Sequence, residues 1–242
     1  MFIKPPKSLL RQSGRALADY QMVQTGDKIL LGVSGGKDSL SLLHILHHFQ
    51  KHAPIQFELG VITIDPEIDG FNPESLRPYM ADLGVPFFLK SQDIMNDAKK
   101  HMKKDSFCAY CARMKRGMMY HTARQQGYNV IALGQHLDDL AESFLMSAFY
   151  GGKLNTMKAH YTIDAGDLRV IRPLVSVRER QLADFADVAK LPVVPDSCPA
   201  CFSKPSKREH IKQLLLTQER DTPHLFKNLL HAMRPLMQGQ PS

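Results

Sequence analysis

The chain has 242 residues, 43% apolar and 23% charged, enough for the core of one α/β domain with an appendage or of two small domains. Lysine and arginine number 31 against 24 acids, a net charge of +7 that admits a polyanionic partner without requiring one. No apolar run nears the roughly 20 residues a bilayer demands, and the start, MFIKPPKSLLRQSGRAL, has neither an apolar signal core nor a small-residue cleavage site, so the sequence predicts a cytoplasmic protein with no membrane partner.

In chain order, residues 7–20 form an amphipathic helical pattern on Leu9, Leu10, Ala16, Leu17 and Tyr20. KILLGV (28–33) reads as a buried strand, followed by a helix from Asp38 to Phe49 that buries Leu40, Leu42, Leu43, Ile45 and Leu46. A second strand, FELGVITID (57–65), a helix at 74–83 and a third strand, VPFFLK (85–90), come next. A helix at 109–126, the strand NVIALG (129–134) and a helix at 137–149 continue the alternation, which predicts a parallel sheet with helices on both faces. After FYGGK (149–153) the alternation weakens, and a soft boundary falls near residue 151. LRVIRPL (168–174) reads as a strand, and 176–191 as a helix opened by Ser176 with Glu179 at the capping-box spacing. PVVP (192–195) reads as a short strand, followed by helices at 206–219 and 223–233 and a frayed tail. There is no internal repeat.

Two segments carry phosphate and acid chemistry. In LLGVSGGKDSL (30–40) glycines separate a strand from a helix, the usual place for backbone N–H groups to approach a phosphate. Gly35 and Gly36 permit positive φ, Lys37 brings a charge, Ser34 and Ser39 bring hydroxyls, and the helix start adds its partial positive end. Asp38 is out of place beside phosphates unless it holds Mg²⁺ that bridges to them. The bland alternative is a glycine turn before a capped helix. LGQHLDDLAESFLM (133–146) runs from a strand's carboxyl end into a helix, where open α/β sheets form ligand crevices. Asp138 and Glu142 share a helix face, and Asp138 or Asp139 suits a metal or an orienting role; the alternative is an acid-rich first turn favoured by the helix dipole.

Four cysteines form two C-x-x-C pairs, Cys108 with Cys111 and Cys198 with Cys201. Four thiolates suit a closed zinc site, an iron–sulfur cluster also takes thiolates, and a redox couple is a third option.

SGGKDS after a buried strand resembles the PP-loop of the ATP pyrophosphatase superfamily, and residues 133–146 resemble its G-H-x-x-D-D-x-x-E block, with Gln135 where many members carry histidine. With C-x-x-C-x-x-x-[KR]-R-G, FYGGK, IRPL and the late cysteine pair in order, residues 8 to about 215 resemble the tRNA 2-thiocytidine synthase family. The resemblance implies a Rossmann-like α/β fold with a C-terminal helical extension. Residues 1–150 would be the nucleotide-binding core, and residues 151–242 would complete the sheet, the cluster site and tRNA-facing helices. It implies ATP cleavage between the α- and β-phosphates, adenylation of O2 of a cytosine at position 32 of the tRNA anticodon loop, and replacement of that oxygen by sulfur delivered through a [4Fe–4S] cluster.

The resemblance also assigns residues. Ser34, Gly35, Gly36, Lys37, Asp38, Ser39, Ile62 and Gly134 would hold ATP; Lys37, Asp38, Lys115 and Asp138 would act in the reaction, with Mg²⁺. Lys115 would polarise the base or hold the adenylate. The cluster takes three cysteines: Cys108, Cys111 and Cys198, with Cys201 as the alternative third ligand. One iron is then left without a protein ligand. The tRNA phosphates would meet Arg113, Arg116, Lys153, Lys158, Arg172, Arg178, Lys204, Lys207 and Arg208. A separate sulfur donor, a cysteine desulfurase or free sulfide, completes the partners, with room for a homodimer. The 2-thiouridine-forming relatives carry extra N-terminal C-x-x-C zinc modules that this chain lacks. The competing readings are another PP-loop ligase or sulfurtransferase, acting on a different base or a small molecule, and a non-catalytic zinc or cluster module.

Overall fold

The computed structural model describes residues 2–101, 107–195 and 206–238. Its centre is a six-stranded sheet. In chain order the strands are β1 (Asp27–Gly32), β2 (Phe57–Asp65), β3 (Phe87–Ser91), β4 (Val130–Ala132), β5 (His160–Thr162) and β6 (Arg169–Ile171), and the spatial order is β3-β2-β1-β4-β6-β5. Every pairing is parallel except that of β5 with β6. The fold is the α/β architecture that the alternating sequence pattern predicts.

The strands are continuous apolar runs because both faces are covered. Along β1, Ile29 and Leu31 enter one core and Leu30 the other, all three fully buried. The larger core packs the sheet against α1 (Lys7–Asp19), α2 (Lys37–His52), α3 (Leu76–Leu83), α6 (Leu137–Gly151), α7 (Glu179–Val188), α8 (Lys207–Asp221) and α9 (Leu225–Met237). The smaller core lies under α5 (Phe107–Gln126), with Ala123 and Tyr128 against Leu30, Ile62 and Ile131. Gly60 serves that packing: a Cβ there would overlap the Tyr128 hydroxyl. At the opposite edge of the strands, Asp27 accepts hydrogen bonds from Asn129 Nδ2 (3.0 Å) and from Arg169, tying the starts of β1, β4 and β6 together.

This topology creates one special place. The chain steps outward from β1 to β2 and β3, then returns to put β4 on the other side of β1. At such a switch point the connections leave the carboxyl ends of β1 and β4 in opposite directions, and a crevice opens between them. The segments after β1 and β4 are SGGKDS and GQHLDD.

The structure departs from the sequence reading in four elements. A helix α4 (Ile94–His101) stands where none is predicted, and β5 adds an antiparallel edge strand. The helix expected from Ser176 begins at Glu179; Ser176 Oγ instead donates to the Gln12 carbonyl (3.2 Å), and Gln181 Oε1 accepts from the Arg178 N–H (3.1 Å). PVVP is not a strand: among the described residues its one long-range backbone bond is from Val194 N–H to the Gly35 carbonyl (3.0 Å). No described helix is long and apolar enough to cross a membrane.

Candidate active site

The loop between β1 and α2 is held open by its own hydroxyls. Ser39 Oγ donates to the Gly36 carbonyl (3.0 Å) and accepts from the Ser34 N–H (3.2 Å), while Thr63 Oγ1 donates to the Val33 carbonyl (2.8 Å). Only one of the two glycines uses the left-handed region: Gly35 has φ +86°, whereas Gly36 is extended at φ −75°. A Cβ on Gly35 would also come within 2.9 Å of Val194 Cβ. Gly36 is the N-cap of α2 and no side chain caps that helix, so its first amides face the crevice without a built-in acceptor.

Lys37 and Asp38 open α2. Lys37 Nζ donates to Glu179 Oε1 (3.0 Å) and Asp38 Oδ2 (3.3 Å). Glu179 also accepts from Lys212 Nζ (2.8 Å). Burial would raise the Glu179 carboxyl, but the hydrogen bonds and charges of Lys212 and Lys37 override it and hold it down at about 2. Lys37 is raised because its bond to Glu179 and the neighbouring acids outweigh burial. Asp38 is raised by burial, against the pull of His136 and Lys37. Its Oδ1 is buried with no hydrogen-bond partner among the described residues. An orphaned carboxylate oxygen beside a phosphate-type loop fits a hard divalent cation, as the sequence reading of Mg²⁺ at Asp38 requires.

Opposite lies the start of α6. Gly134 lets the two helix starts meet, since a Cβ there would sit 3.2 Å from the Ser39 backbone. His136 is the N-cap of α6: its Nδ1 accepts from the Asp139 N–H (3.4 Å), and Asp139 Oδ2 accepts from the His136 N–H (3.0 Å). His136 Nε2 is 3.8 Å from Asp38 Oδ2, which joins the two segments. Asp139 Oδ1 and Glu142 Oε2 take the guanidinium of Arg208, the latter from Nε at 2.6 Å. Asp138 is used elsewhere. It is buried and accepts from Arg178 Nε (3.1 Å) and from the Glu179 N–H (2.7 Å), fastening α7 to α6. Of the Asp pair, Asp139 lines the crevice, while Asp138, expected from the sequence to act in the reaction, is placed in the joint between the two helices.

The crevice has two lobes. One, of about 620 Å³, is lined by Ser34, Gly36, Lys37 and Asp38 on one side and by Phe107, Cys108, Cys111 and Lys115 of α5 on the other, with Phe71, Val194 and Pro195 closing it. The second, of about 440 Å³, has an apolar floor of Ile62, Ile64 and Leu133, and Gly134, Lys115, Arg116, Arg172 and Arg208 around it. Ser34, Asp38, Ala112 and Lys115 border both. Cys108, Cys111 and Lys115 fall at i, i+3 and i+7, so one stripe of α5 faces the loop. Cys108 is exposed and Cys111 half-buried, and neither is in a disulfide. Two soft thiols on one helical face, turned into a cleft, suit a thiolate-bound metal or cluster. Cys198 and Cys201 lie outside the described residues.

Ser34, Gly36, Lys37 and Asp38 of the loop, with Ile62, Gly134, Lys115, Cys108 and Cys111, thus border one crevice, while Gly35 packs against Val194. Ser39 joins the second lobe. Two of the residues expected on tRNA phosphates are instead internal. Arg178 is clamped by Asp138 and Glu219 and lies 3.3 Å above the Phe226 ring. Arg172 is buried, donating to Gln135 Oε1 (2.9 Å) and the Lys158 carbonyl (2.6 Å). Lys204 is outside the described residues. Sequence reading missed the pairing role of Glu179 because it read that residue as a cap. An acid separated from Lys37 by 142 positions leaves no local signal.

A family model described as a PP-loop domain matches residues 8–219. A Geobacter sulfurreducens protein named tRNA-cytidine(32) 2-sulfurtransferase is 39% identical over 228 residues, covering 94% of this chain and 89% of that protein. One of the same name from Aliivibrio salmonicida is 38% identical over 235 residues, covering 96% and 76%. Among solved structures, the U34-tRNA thiolase NcsA from Methanococcus maripaludis with its [4Fe–4S] cluster is similar at a TM-score of 0.76 and 19% identity, over 95% of this chain and 78% of that one. The NH₃-dependent NAD synthetase of Campylobacter jejuni is similar at 0.53 and 15% identity, over 96% and 92%. These two likenesses are of fold.

Proposed function

Because the chain belongs to the tRNA-cytidine(32) 2-sulfurtransferase family, built on the PP-loop domain, we propose that its two-lobed crevice carries out ATP-dependent thiolation of a tRNA cytosine. The observation that carries this reading is the shared cleft: the phosphate-type loop and the Cys108–Cys111 face of α5 line one space. A nucleotide cradle alone suits any ligase, and a thiol pair alone suits zinc. Their juxtaposition suits a reaction in which an activated oxygen is replaced by sulfur.

The triphosphate lies along Ser34–Ser39, where the uncapped start of α2 offers amides and a partial positive charge. The apolar second lobe beside Ile62 and Gly134 takes the adenine. Cytosine O2 attacks the α-phosphorus and pyrophosphate departs. Lys37 and the α2 amides stabilise the charge that develops on the phosphoryl oxygens. Asp38, with its orphaned oxygen, would hold Mg²⁺, which would neutralise phosphate charge. Lys115, bordering both lobes, steadies the adenylated base. Sulfur adds at C2, and the C2–O bond breaks with AMP as leaving group. Cys108 and Cys111 would hold a [4Fe–4S] cluster, with Cys198 or Cys201 as third thiolate, and the cluster would supply the sulfur chemistry at this end of the cleft.

Two measurements test the reading. Anaerobically purified protein should contain iron and acid-labile sulfide and absorb near 400 nm; stoichiometric zinc without sulfide overturns the cluster. Nucleoside mass spectrometry of tRNA from a deletion strain should lose 2-thiocytidine and regain it on complementation with wild type, but not with Cys111→Ala. An unchanged thionucleoside profile overturns the thiolase reading.

A further inference from the structure

We propose that the exposed turn at the end of α6 is a stacking platform for a single-stranded segment of RNA, adjoining the target base. Phe149, Tyr150 and Leu154 are 59%, 46% and 71% exposed, unusual for large apolar side chains standing together. The turn that presents them is stiffly built. α6 closes on Gly152 at φ +60°, the Lys153 N–H donates to the Ser147 carbonyl (3.2 Å), and Ser147 Oγ donates to the Lys153 carbonyl (2.8 Å). Thr156 Oγ1 then donates to the Leu140 carbonyl (2.8 Å), fixing the chain beyond it to the body of α6. Exposed aromatic rings carried on a backbone fixed in this way are placed for a ligand rather than for the core.

The ligand's chemistry follows from the cations among the rings. Lys207 Nζ stands 4.7 Å from the Tyr150 ring centroid, and Lys153 is exposed on the turn itself. Flat apolar faces interleaved with lysines match bases joined by phosphates. A duplex hides its base faces, so the match is to an unpaired strand. A second copy of this chain fits poorly, because a twofold contact would bring like lysines together. The platform also adjoins the crevice: Arg208, next to Lys207 in the first turn of α8, lines both the second lobe and the acid cluster beside it. A strand with one base in the crevice would lay its neighbours over Tyr150 and Phe149.

This inference rests on tRNA being the substrate, and the test separates the two. Binding of the full chain to unmodified tRNA, to an anticodon stem-loop RNA and to a plain RNA duplex is measured by fluorescence anisotropy. Replacing both rings (Phe149→Ala with Tyr150→Ala) should weaken stem-loop and tRNA binding about tenfold or more, leave duplex binding unchanged and leave ATP binding unchanged. Tyr150→Phe should keep wild-type affinity. A stem-loop carrying a photoreactive thiouridine beside the target cytosine should crosslink within residues 149–154. Crosslinks confined elsewhere, unchanged RNA affinity in the double variant, or a change only in its oligomeric state overturn the platform alone. Wild-type protein that binds no tRNA overturns the tRNA reading as well.

Discussion

Two helix starts face each other across the crevice, and they are finished in opposite ways. α2 begins at Gly36 with no side-chain cap. α6 begins at His136 with a reciprocal cap, His136 to the Asp139 N–H and Asp139 to the His136 N–H. Both carry the same partial positive charge from the helix dipole. Only the first leaves it available to an incoming anion. The second has used its amides internally and presents carboxylates, which cations from later in the chain then cover. Motif and dipole alone would make both ends anion sites; the capping pattern makes one a cradle and the other a wall of fixed charge.

The wall breaks most severely at Arg178. Arg178→Met would leave the buried Asp138 with the Glu179 N–H and the nearby His136 ring, and it would leave Glu219 with the more distant Arg180 at 3.6 Å. Losing one member of a buried pair costs about 3–5 kcal/mol. Denaturant unfolding should show that loss, and a variant within 1 kcal/mol of wild type, roughly the value of a surface pair, would mean the cluster is solvated rather than structural. The cradle breaks at Lys37. Lys37→Ala should slow pyrophosphate release in the presence of tRNA by about 10²–10³-fold, the usual cost of one preorganised donor to developing charge. Thermal stability should barely move, because Glu179 retains Lys212. A rate within threefold of wild type would remove Lys37 from the reaction.

Gly134→Ala probes the distance between the two helix starts. The added methyl would press on the Ser39 backbone at 3.2 Å, where nothing flexible can yield. Overpacking of this kind costs about 1–3 kcal/mol. ATP affinity should fall along with stability, since α2 and its cradle must shift together; a stability loss with unchanged nucleotide binding would show that the wall moved instead.

Some of this was legible in the sequence for definite reasons. β1 and α2 are local structures, and their apolar run, glycines and serines lie within a few residues, so both strand and loop can be read directly. The spacing of Cys111 and Lys115 on one face follows from helical period, while Cys108 joins that stripe only because α5 begins at Phe107, two residues before the predicted start at 109. The distribution of work between Asp138 and Asp139 was not legible. Adjacent residues differ by about 100° around a helix, and which one meets the crevice depends on where α7 docks. Arg172 and Arg178 were opaque for the same reason: composition counts a basic residue, but only tertiary packing shows that Arg178 is clamped between Asp138 and Glu219 and that Arg172 is buried on Gln135 and the Lys158 carbonyl. The aromatic pair at Phe149–Tyr150 read as the end of a helix, because exposure is invisible in a single sequence.

The pH dependence of stability separates the crevice from the core behind it. Glu179 is held at about 2, below its ordinary 4.5, by Lys212 and Lys37 against the effect of burial. Between those values the unfolded chain binds a proton that the folded chain refuses. The pairing therefore stabilises fully above pH 4.5 and is lost as pH falls toward 2. His44, midway along α2's buried face, is lowered by burial and neighbouring His47 to about 4 from 6.5. Its Nδ1 accepts from the Ile3 N–H (3.2 Å) and its Nε2 contacts Tyr79 Oη at 2.5 Å, so protonation must break the Ile3 bond. The sign is the same, with stability lost as pH falls, but the window is 6.5 to 4. The slope should be on the order of 1 kcal/mol per pH unit. His44→Gln, which can keep both hydrogen bonds without titrating, should flatten the unfolding midpoint between pH 6.5 and 4, and Glu179→Gln should flatten it only below 4.5. If His44→Gln leaves the upper slope intact, acid sensitivity there arises from groups other than the histidine pinned beneath the N-terminal segment.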